Sequence, residues 1–292
     1  MISGICKAYN KHPSEDEGRR VYFKPGEKIK GYNGDLCARL KPGFLKLDID
    51  DFDHNTSELD EPIKGEPRSE AVLAWLDSKG IRYNLMITEH GKHFYFRVPS
   101  DYPHSTNKIN WYSALGIKAE IKLGGGQSKE HIPFKVGGVL RKWAVGDMLN
   151  EDIDPLPAEL WPLQKSKNRP FDFTTLSDAR NSGFSEYAFA LAWKGYTVEQ
   201  IQSVVQGIND FVLEDGLRCR EVDTILRDET LEKLRNILNQ QEEKNLSPVV
   251  VANELIEQHH LIYLHGSLYA YQEGVYKPFS RDKVNAYIST HY

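Results

Sequence analysis

The spacing of apolar residues changes twice along the chain. Between residues 44 and 136 short runs alternate apolar and polar positions, the period of strands with one buried face. From 177 to 245 apolar residues recur three and four apart, the period of helices. After 247 short aromatic runs return. The clearest alternation is Phe44-Leu45-Lys46-Leu47-Asp48-Ile49-Asp50-Asp51-Phe52-Asp53. As a strand it turns Leu45, Leu47 and Ile49 into a core and sets Asp48 and Asp50 side by side on the opposite face.

Around that strand the pattern predicts a helix over 69–78, with Ala71, Val72, Trp75 and Leu76 on one face and Gly80 as its stop. Strands are expected over 83–88 and 94–98, joined at Gly91, then a helix over 107–115 and a strand over 117–123 closed by Gly124-Gly125-Gly126. A further extended run starts at Ile132. The first forty residues read as short strands and turns, with Pro25-Gly26 and Asn33-Gly34 as tight-turn pairs, and residues 54–68 read as a polar loop. Strand, helix, hairpin, helix, strand, strand is the order of an α+β domain built on a helix-backed antiparallel or mixed sheet.

Four prolines between 151 and 170 mark a linker, because proline at that density continues neither a helix nor a central strand. Beyond it, helices are expected over 187–194, 197–210 and 221–243, the second opened by a capping box of Thr197 and Gln200. Residues 249–259 read as helical, 261–265 and 268–272 as strands turning at Gly266-Ser267, and 280 onward as a last helix. Three units follow: 1–170, a helical bundle over 171–246, and 247–292. The last ends without a closing signal, which points to a chain cut from a longer protein.

At 292 residues the chain can bury a full core. It has no apolar run near the roughly 18–20 residues a membrane span needs, and its N-terminus is too short for an export signal, so a cytoplasmic setting without membrane contact is expected. Cys6, Cys37 and Cys219 are isolated in sequence and indicate neither a disulfide framework nor a zinc site. Net charge is −5, but it is uneven. Residues 1–170 hold 26 basic against 24 acidic side chains, 171–292 hold 11 against 18, and 102–143 hold seven against two. That local basic excess could hold a phosphate backbone or a triphosphate, though charge alone favours a solvated face.

Paired carboxylates on one strand resist ionising together, so a divalent cation is one reason to place them there, and an acidic solvated strand end is another. The balance shifts with two further clusters at strand edges: Thr88-Glu89-His90-Gly91-Lys92-His93-Phe94-Tyr95-Phe96 and Ala119-Glu120-Ile121-Lys122. Two acids on one strand and a third on a neighbour match the demands of metal-assisted phosphoryl transfer. Asp48, Asp50 and Glu120 are the candidate ligands. His93, Lys92, Lys122, Arg141 and Thr88 are the candidate contacts to a nucleotide.

In order, Leu47-Asp48-Ile49-Asp50, Gly91-Lys92-His93-Phe94-Tyr95-Phe96 and Ala119-Glu120-Ile121-Lys122 resemble the three motifs of the archaeo-eukaryotic primase superfamily, in the form carried by phages, plasmids and large DNA viruses. The resemblance covers about 35–143. It implies a palm similar to an RNA-recognition fold joined to an N-terminal α/β unit, with two magnesium or manganese ions on Asp48, Asp50 and Glu120 and with His93 on the phosphates of the incoming nucleotide. Two positions depart from the commoner pattern: Glu120 stands for an aspartate and Thr88 for a serine. Residues 183–196, 208–209 and 221–226 are similar to the small helical domain that follows such modules, with Gly216-Leu217 where Pro-Leu is usual, and 247–292 looks like the start of the segment before a viral helicase. No Gly-x-x-x-x-Gly-Lys-Ser/Thr occurs, so a helicase ATPase would lie elsewhere in a full-length protein.

What this implies is a DNA primase-polymerase using nucleoside triphosphates and a single-stranded DNA template, with a helicase domain as partner. Two rivals stay open. A rolling-circle endonuclease would use His90, His93 and a tyrosine such as Tyr112, and a non-catalytic single-strand or origin-binding module would load a helicase with degenerate acids.

Overall fold

The computed structural model describes residues 1–9, 11–14, 20–25, 27, 29, 31–52, 69–125, 131–165, 180–213, 215–244, 255–257, 259–264 and 267–285. The expected loop over 54–68, Gly126 and Gly266 lie outside them, as do Asp53, Lys129, residues 171–179 and the first part of the expected helix over 249–259. In chain order come β1 (Ile2–Tyr9), β2 (His12–Pro13), β3 (Asp35–Leu40), β4 (Phe44–Asp50), α1 (Ser69–Ser78), β5 (Asn84–Ile87), β6 (Gly91–Arg97), β7 (Lys108–Ser113) and β8 (Lys118–Leu123). They continue with β9 (His131–Val136), β10 (Val139–Leu140), β11 (Trp143–Val145), β12 (Pro162–Lys165), α2 (Arg180–Trp193), α3 (Val198–Gly207), α4 (Cys219–Ile225) and α5 (Asp228–Lys244). Last are β13 (Leu261–Leu264), β14 (Ser267–Gln272) and β15 (Val275–Pro278).

The architecture is α+β. A seven-stranded sheet runs β11-β5-β6-β4-β8-β7-β12 and a five-stranded sheet runs β10-β9-β3-β1-β2, with antiparallel pairing between neighbouring strands throughout. The acidic strand β4 is the middle strand of the larger sheet. One face of that sheet, with Leu45, Leu47, Ile49, Phe94 and Ile121, packs against Val72, Trp75 and Leu76 of α1. Phe184, Leu191, Ile201, Val204 and Leu234 of the later helices belong to the same continuous core. The opposite face is covered in part by the five-stranded sheet, where Phe44, Met86 and Tyr95 meet Ile2, Leu40, Ile132 and Phe134. What remains of that face is the polar row on β4, β6 and β8.

Several elements differ from the pattern-based expectation. Residues 107–115 form no helix: Lys108–Ser113 is strand β7, joining β8 to β12. Its Trp111 and Tyr112 favour a pleated surface, and a bulge with Asn110 at φ 56° offsets the alternation that would have shown it. The single helix expected over 221–243 is two, α4 and α5, broken at Leu226 and Arg227. Asp228 and Glu229 open the second, where acidic side chains meet the positive end of the helix. The N-terminal stretch holds the eight-residue β1, whose inward Gly4, Cys6 and Ala8 are small enough to blur the alternation. The proline-rich segment contributes β12, tolerated there because it is an edge strand. Gly91 opens β6, so the hairpin turns one step earlier, with His90 O accepting from the Asp51 and Phe52 amides.

The expected helix over 69–78, the strands over 117–123 and 132–136, the Thr197–Gln200 capping box and the C-terminal meander are present, within a residue or two of their expected ends. No described helix is long and apolar enough to cross a membrane.

A candidate active site between the two sheets

Because paired strand residues share a face, β-register decides which side chains meet. Asp48 pairs with His93 on β6 and with Glu120 on β8, so the three stand in one row across the centre of the sheet. Asp50 follows on the same face, opposite Gly91. Lys46 precedes on that face, opposite Tyr95 and Lys122. These residues floor a cleft of about 520 Å³. Its other wall comes from the five-stranded sheet and its loops, with Lys11, His12, Arg20, His131 and Pro133, and Thr88, Glu89, His90 and Arg141 complete the lining. The lining carries five Lys or Arg, four carboxylates and four histidines, a mixed field that suits a ligand bearing phosphates together with a cation.

Asp48 is the hub. Its Oδ1 lies 3.1 Å from His93 Nε2, and its Oδ2 lies 3.2 Å from Lys46 Nζ and 4.0 Å from Lys122 Nζ. Lys122 Nζ is also 3.0 Å from Glu120 Oε2. Burial resists the charge on Asp48, but Lys46, His93 and Lys122 outweigh it and hold the carboxyl well below the usual carboxylate range. Burial, with the Lys46 charge, pulls His93 down to about 4, so the imidazole is neutral at pH 7. A carboxylate only accepts, so Nε2 carries the proton and donates it to Asp48, while the Tyr95 hydroxyl donates to Nδ1 at 3.3 Å. With His93 neutral, the lysines are what keep Asp48 ionised.

Arg141 reaches the cleft from the turn after β10. Its Nη1 is buried without a hydrogen-bond partner, and burial lowers its pKa from the ordinary arginine value. A buried donor left unpaired is costly, and an anion entering the cleft would satisfy it.

Of the eight expected site residues, the fold gathers Asp48, Asp50, Glu120, His93, Lys122, Arg141 and Thr88 around one cleft. Lys92 is not with them. It pairs with Ile49, hence faces the helices, and its ammonium contacts Ser69 Oγ at 2.7 Å, Glu70 and Asp51. Thr88 lines the cleft but also closes its own turn, its Oγ1 accepting from the Gly91 amide at 3.1 Å. His93, expected on phosphate, is engaged by Asp48 and Tyr95. The cleft also contains residues sequence reasoning passed over. Lys46 shares parity with Asp48 and Asp50, and period two would have found it. Arg20, His12 and His131 carry no local signal, since only long-range pairing of the five-stranded sheet brings them to the site.

Whether the acids suit a metal has two sides. All three are hard oxygen donors on adjacent strands of one cleft, the chemistry magnesium and manganese prefer. Yet among the described residues no group of three or more His, Cys, Asp or Glu closes around a point that could hold an ion, and the oxygens of Asp48 and Glu120 are turned to lysine and histidine instead. The donor chemistry suits a hard divalent ion, while the carboxylate oxygens stand on Lys46, His93 and Lys122 in the described arrangement.

Comparison with protein-family models, with curated proteins and with solved structures returned no match.

Proposed function

We propose that the chain is a template-dependent nucleotidyltransferase of the archaeo-eukaryotic primase type, which makes and extends primers on single-stranded DNA. The observation that carries the reading is convergence: three motifs far apart in sequence meet in one register row, Asp48 beside His93 and Glu120, with Asp50 at the same cleft. A helix-backed antiparallel sheet flanked by a smaller N-terminal sheet is compatible with a palm joined to an N-terminal unit. The helices over 180–244 suit the small domain that follows such palms, with a helicase region as partner and the cytoplasm as the setting.

In the reaction, a 3′-hydroxyl oxygen bonds to the α-phosphorus of a nucleoside triphosphate as the bond to the β-phosphate bridge breaks and pyrophosphate leaves. Asp48, Asp50 and Glu120 would hold magnesium or manganese, which when bound would supply the positive charge that lets phosphates approach carboxylates. Lys122 sits on the carboxylates until phosphates offer it better partners, and the unpaired Nη1 of Arg141 gains an acceptor. His93 orients Asp48 through its Nε2 proton.

Tyr112 is buried and outside the cleft lining, so the geometry does not favour it as a nucleophile working with His90 and His93. The test is incubation with unprimed single-stranded DNA, labelled nucleotides and magnesium or manganese, wild type beside Asp48→Ala/Asp50→Ala. Short labelled products from wild type alone are expected. Equal synthesis by both proteins overturns the site, and DNA binding without synthesis by wild type moves the reading to a non-catalytic loader.

A further inference from the structure

A second group of aromatic side chains stands away from the cleft, where β7 and β12 form one edge of the large sheet. Trp111 pairs with Ala119 on β8 and with Lys165 on β12, and Lys108 pairs with Ile121. Paired residues share a face, and Ala119 and Ile121 belong to the core beneath the helices, so Trp111, Lys108 and Lys165 stand on the side opposite Asp48 and Glu120. Four rings follow one another there. Trp161 meets Tyr102 edge-on at 5.6 Å, Tyr102 meets His104 edge-on at 5.5 Å, and His104 meets Trp111 at 6.2 Å. Backbone carbonyls fix two of them: Trp161 Nε1 donates to Leu156 O at 2.9 Å, and His104 Nε2 lies 3.4 Å from Pro162 O. Tyr102 and Trp161 pack against the core, while all four rings keep part of their surface in solvent. Lys108 Nζ lies over the Trp111 ring, 5.2 Å from its centroid, beside the exposed Ile109 and Asn110.

We propose that this aromatic row is a stacking platform for the bases of a single-stranded nucleic acid, with Trp111 as its main contact and Lys108 and Lys165 on the backbone phosphates. The inference rests on the proposed function, whose template is a single strand, and gives that strand a contact outside the catalytic cleft. Charge complementarity supports it. Residues 102–119 and 161–165 carry three lysines and no acid, so a phosphate backbone crossing this edge meets attraction along its path. A duplex hides its base faces against one another, whereas an unpaired base offers a flat face to any ring at hand. Rings already fixed by the backbone and by each other lose little freedom when a base stacks on them. The cation–π contact of Lys108 with Trp111 is weaker than base stacking, so an arriving base takes the ring and the ammonium moves to a phosphate.

The test is binding of the full chain to a fluorescent oligothymidylate of about 30 nucleotides, followed by anisotropy at several salt concentrations. Trp111→Leu is expected to weaken binding about tenfold or more, and Trp111→Phe, which keeps a ring, less than about threefold. Lys165→Met is expected to lower the slope of log affinity against log salt by about 0.7, the value for one phosphate contact on a single strand. A Trp111→Leu protein that is folded by circular dichroism and binds as tightly as wild type overturns the platform, and so does equal affinity of wild type for a blunt duplex. Photocrosslinking of wild type to a strand carrying iodouracil needs no variant to fold: adducts on Trp111, His104 or Tyr102 are expected, and adducts found only elsewhere overturn the proposal. Failure of the platform is distinct from failure of the polymerase reading. Binding that depends on Trp111 without primer synthesis by wild type keeps the platform and removes the polymerase, while primer synthesis by wild type with binding indifferent to Trp111 does the reverse.

Discussion

His93 Nε2 lies 3.1 Å from Asp48 Oδ1, and this contact between two neighbouring strands couples the protonation of both groups to folding. His93 titrates near 4 in the fold because of its burial, against 6.5 for the free side chain. Between those values the unfolded chain binds a proton that the folded one does not, so stability rises with pH through this window and is lost as pH falls from about 6.5 toward about 4. Unfolding in urea at several pH values is expected to show a slope of up to about 1.4 kcal/mol per pH unit there. His93→Gln is expected to flatten it, and an unchanged slope in that variant means that another group is responsible.

Asp51 follows the two cleft acids in sequence but serves the fold. Its Oδ1 accepts from the Ser69 amide at 2.6 Å and its Oδ2 from the Ser69 hydroxyl at 2.5 Å, holding the start of α1 against the end of β4. Asp51→Ala leaves these buried donors unpaired and is expected to cost about 1–3 kcal/mol of stability. Metal uptake and primer synthesis by the folded fraction should remain. A variant as stable as wild type but inactive would reverse the roles given to Asp50 and Asp51.

Gly91 lies so close to β4 that a methyl group on it would sit 2.0 Å from the Ile49 carbonyl oxygen and 2.9 Å from Asp50 Cα. Both are backbone atoms, so the neighbour cannot rotate away. Gly91→Ala is expected to part β6 from β4 where Asp50 and His93 are held, with a loss of about 3 kcal/mol or more and little folded protein. Normal thermal melting of this variant would show that the two strands can part at this point without cost.

Arg141→Met removes the half-buried guanidinium whose buried Nη1 has no partner. The ligand-free protein should then melt no lower than wild type, since an uncompensated polar group is gone. Affinity for a nucleoside triphosphate, measured by calorimetry, is expected to fall about tenfold or more. Loss of stability without loss of affinity would place the anion elsewhere in the cleft.

The site was legible where chemistry and local period coincide. Asp48 and Asp50 were assigned to one face because strand residues alternate, and β4 bears this out. Lys92 shows the limit of that logic. It sits one residue before His93 in the same motif, yet alternation sends it to the helix side, and its basic character alone had suggested the cleft. The sequence of strand β7 reads as a helix because a bulge at Asn110 breaks the period that would identify a strand. The one-helix reading of 221–243 failed for a related reason: Val222, Ile225, Leu231 and Leu234 all reach the same core, but across a break that renews the phase.

Periodicity and capping residues are short-range properties, carried by neighbours within a few positions. They suffice for the α+β class, for the acidic strand itself, for α1 and for the capped start of α3. Strand order is different, because pairing partners lie far along the chain and the energy that selects them comes from burying Leu45, Phe94 and Trp75 together, or Tyr95 with Ile132 and Phe134. It is that burial which sets β4 between β6 and β8 and folds the N-terminal sheet over their polar row. Lys46 thereby becomes a buried partner of Asp48, His93 becomes neutral, and Arg20 and His131 become walls of the same cleft.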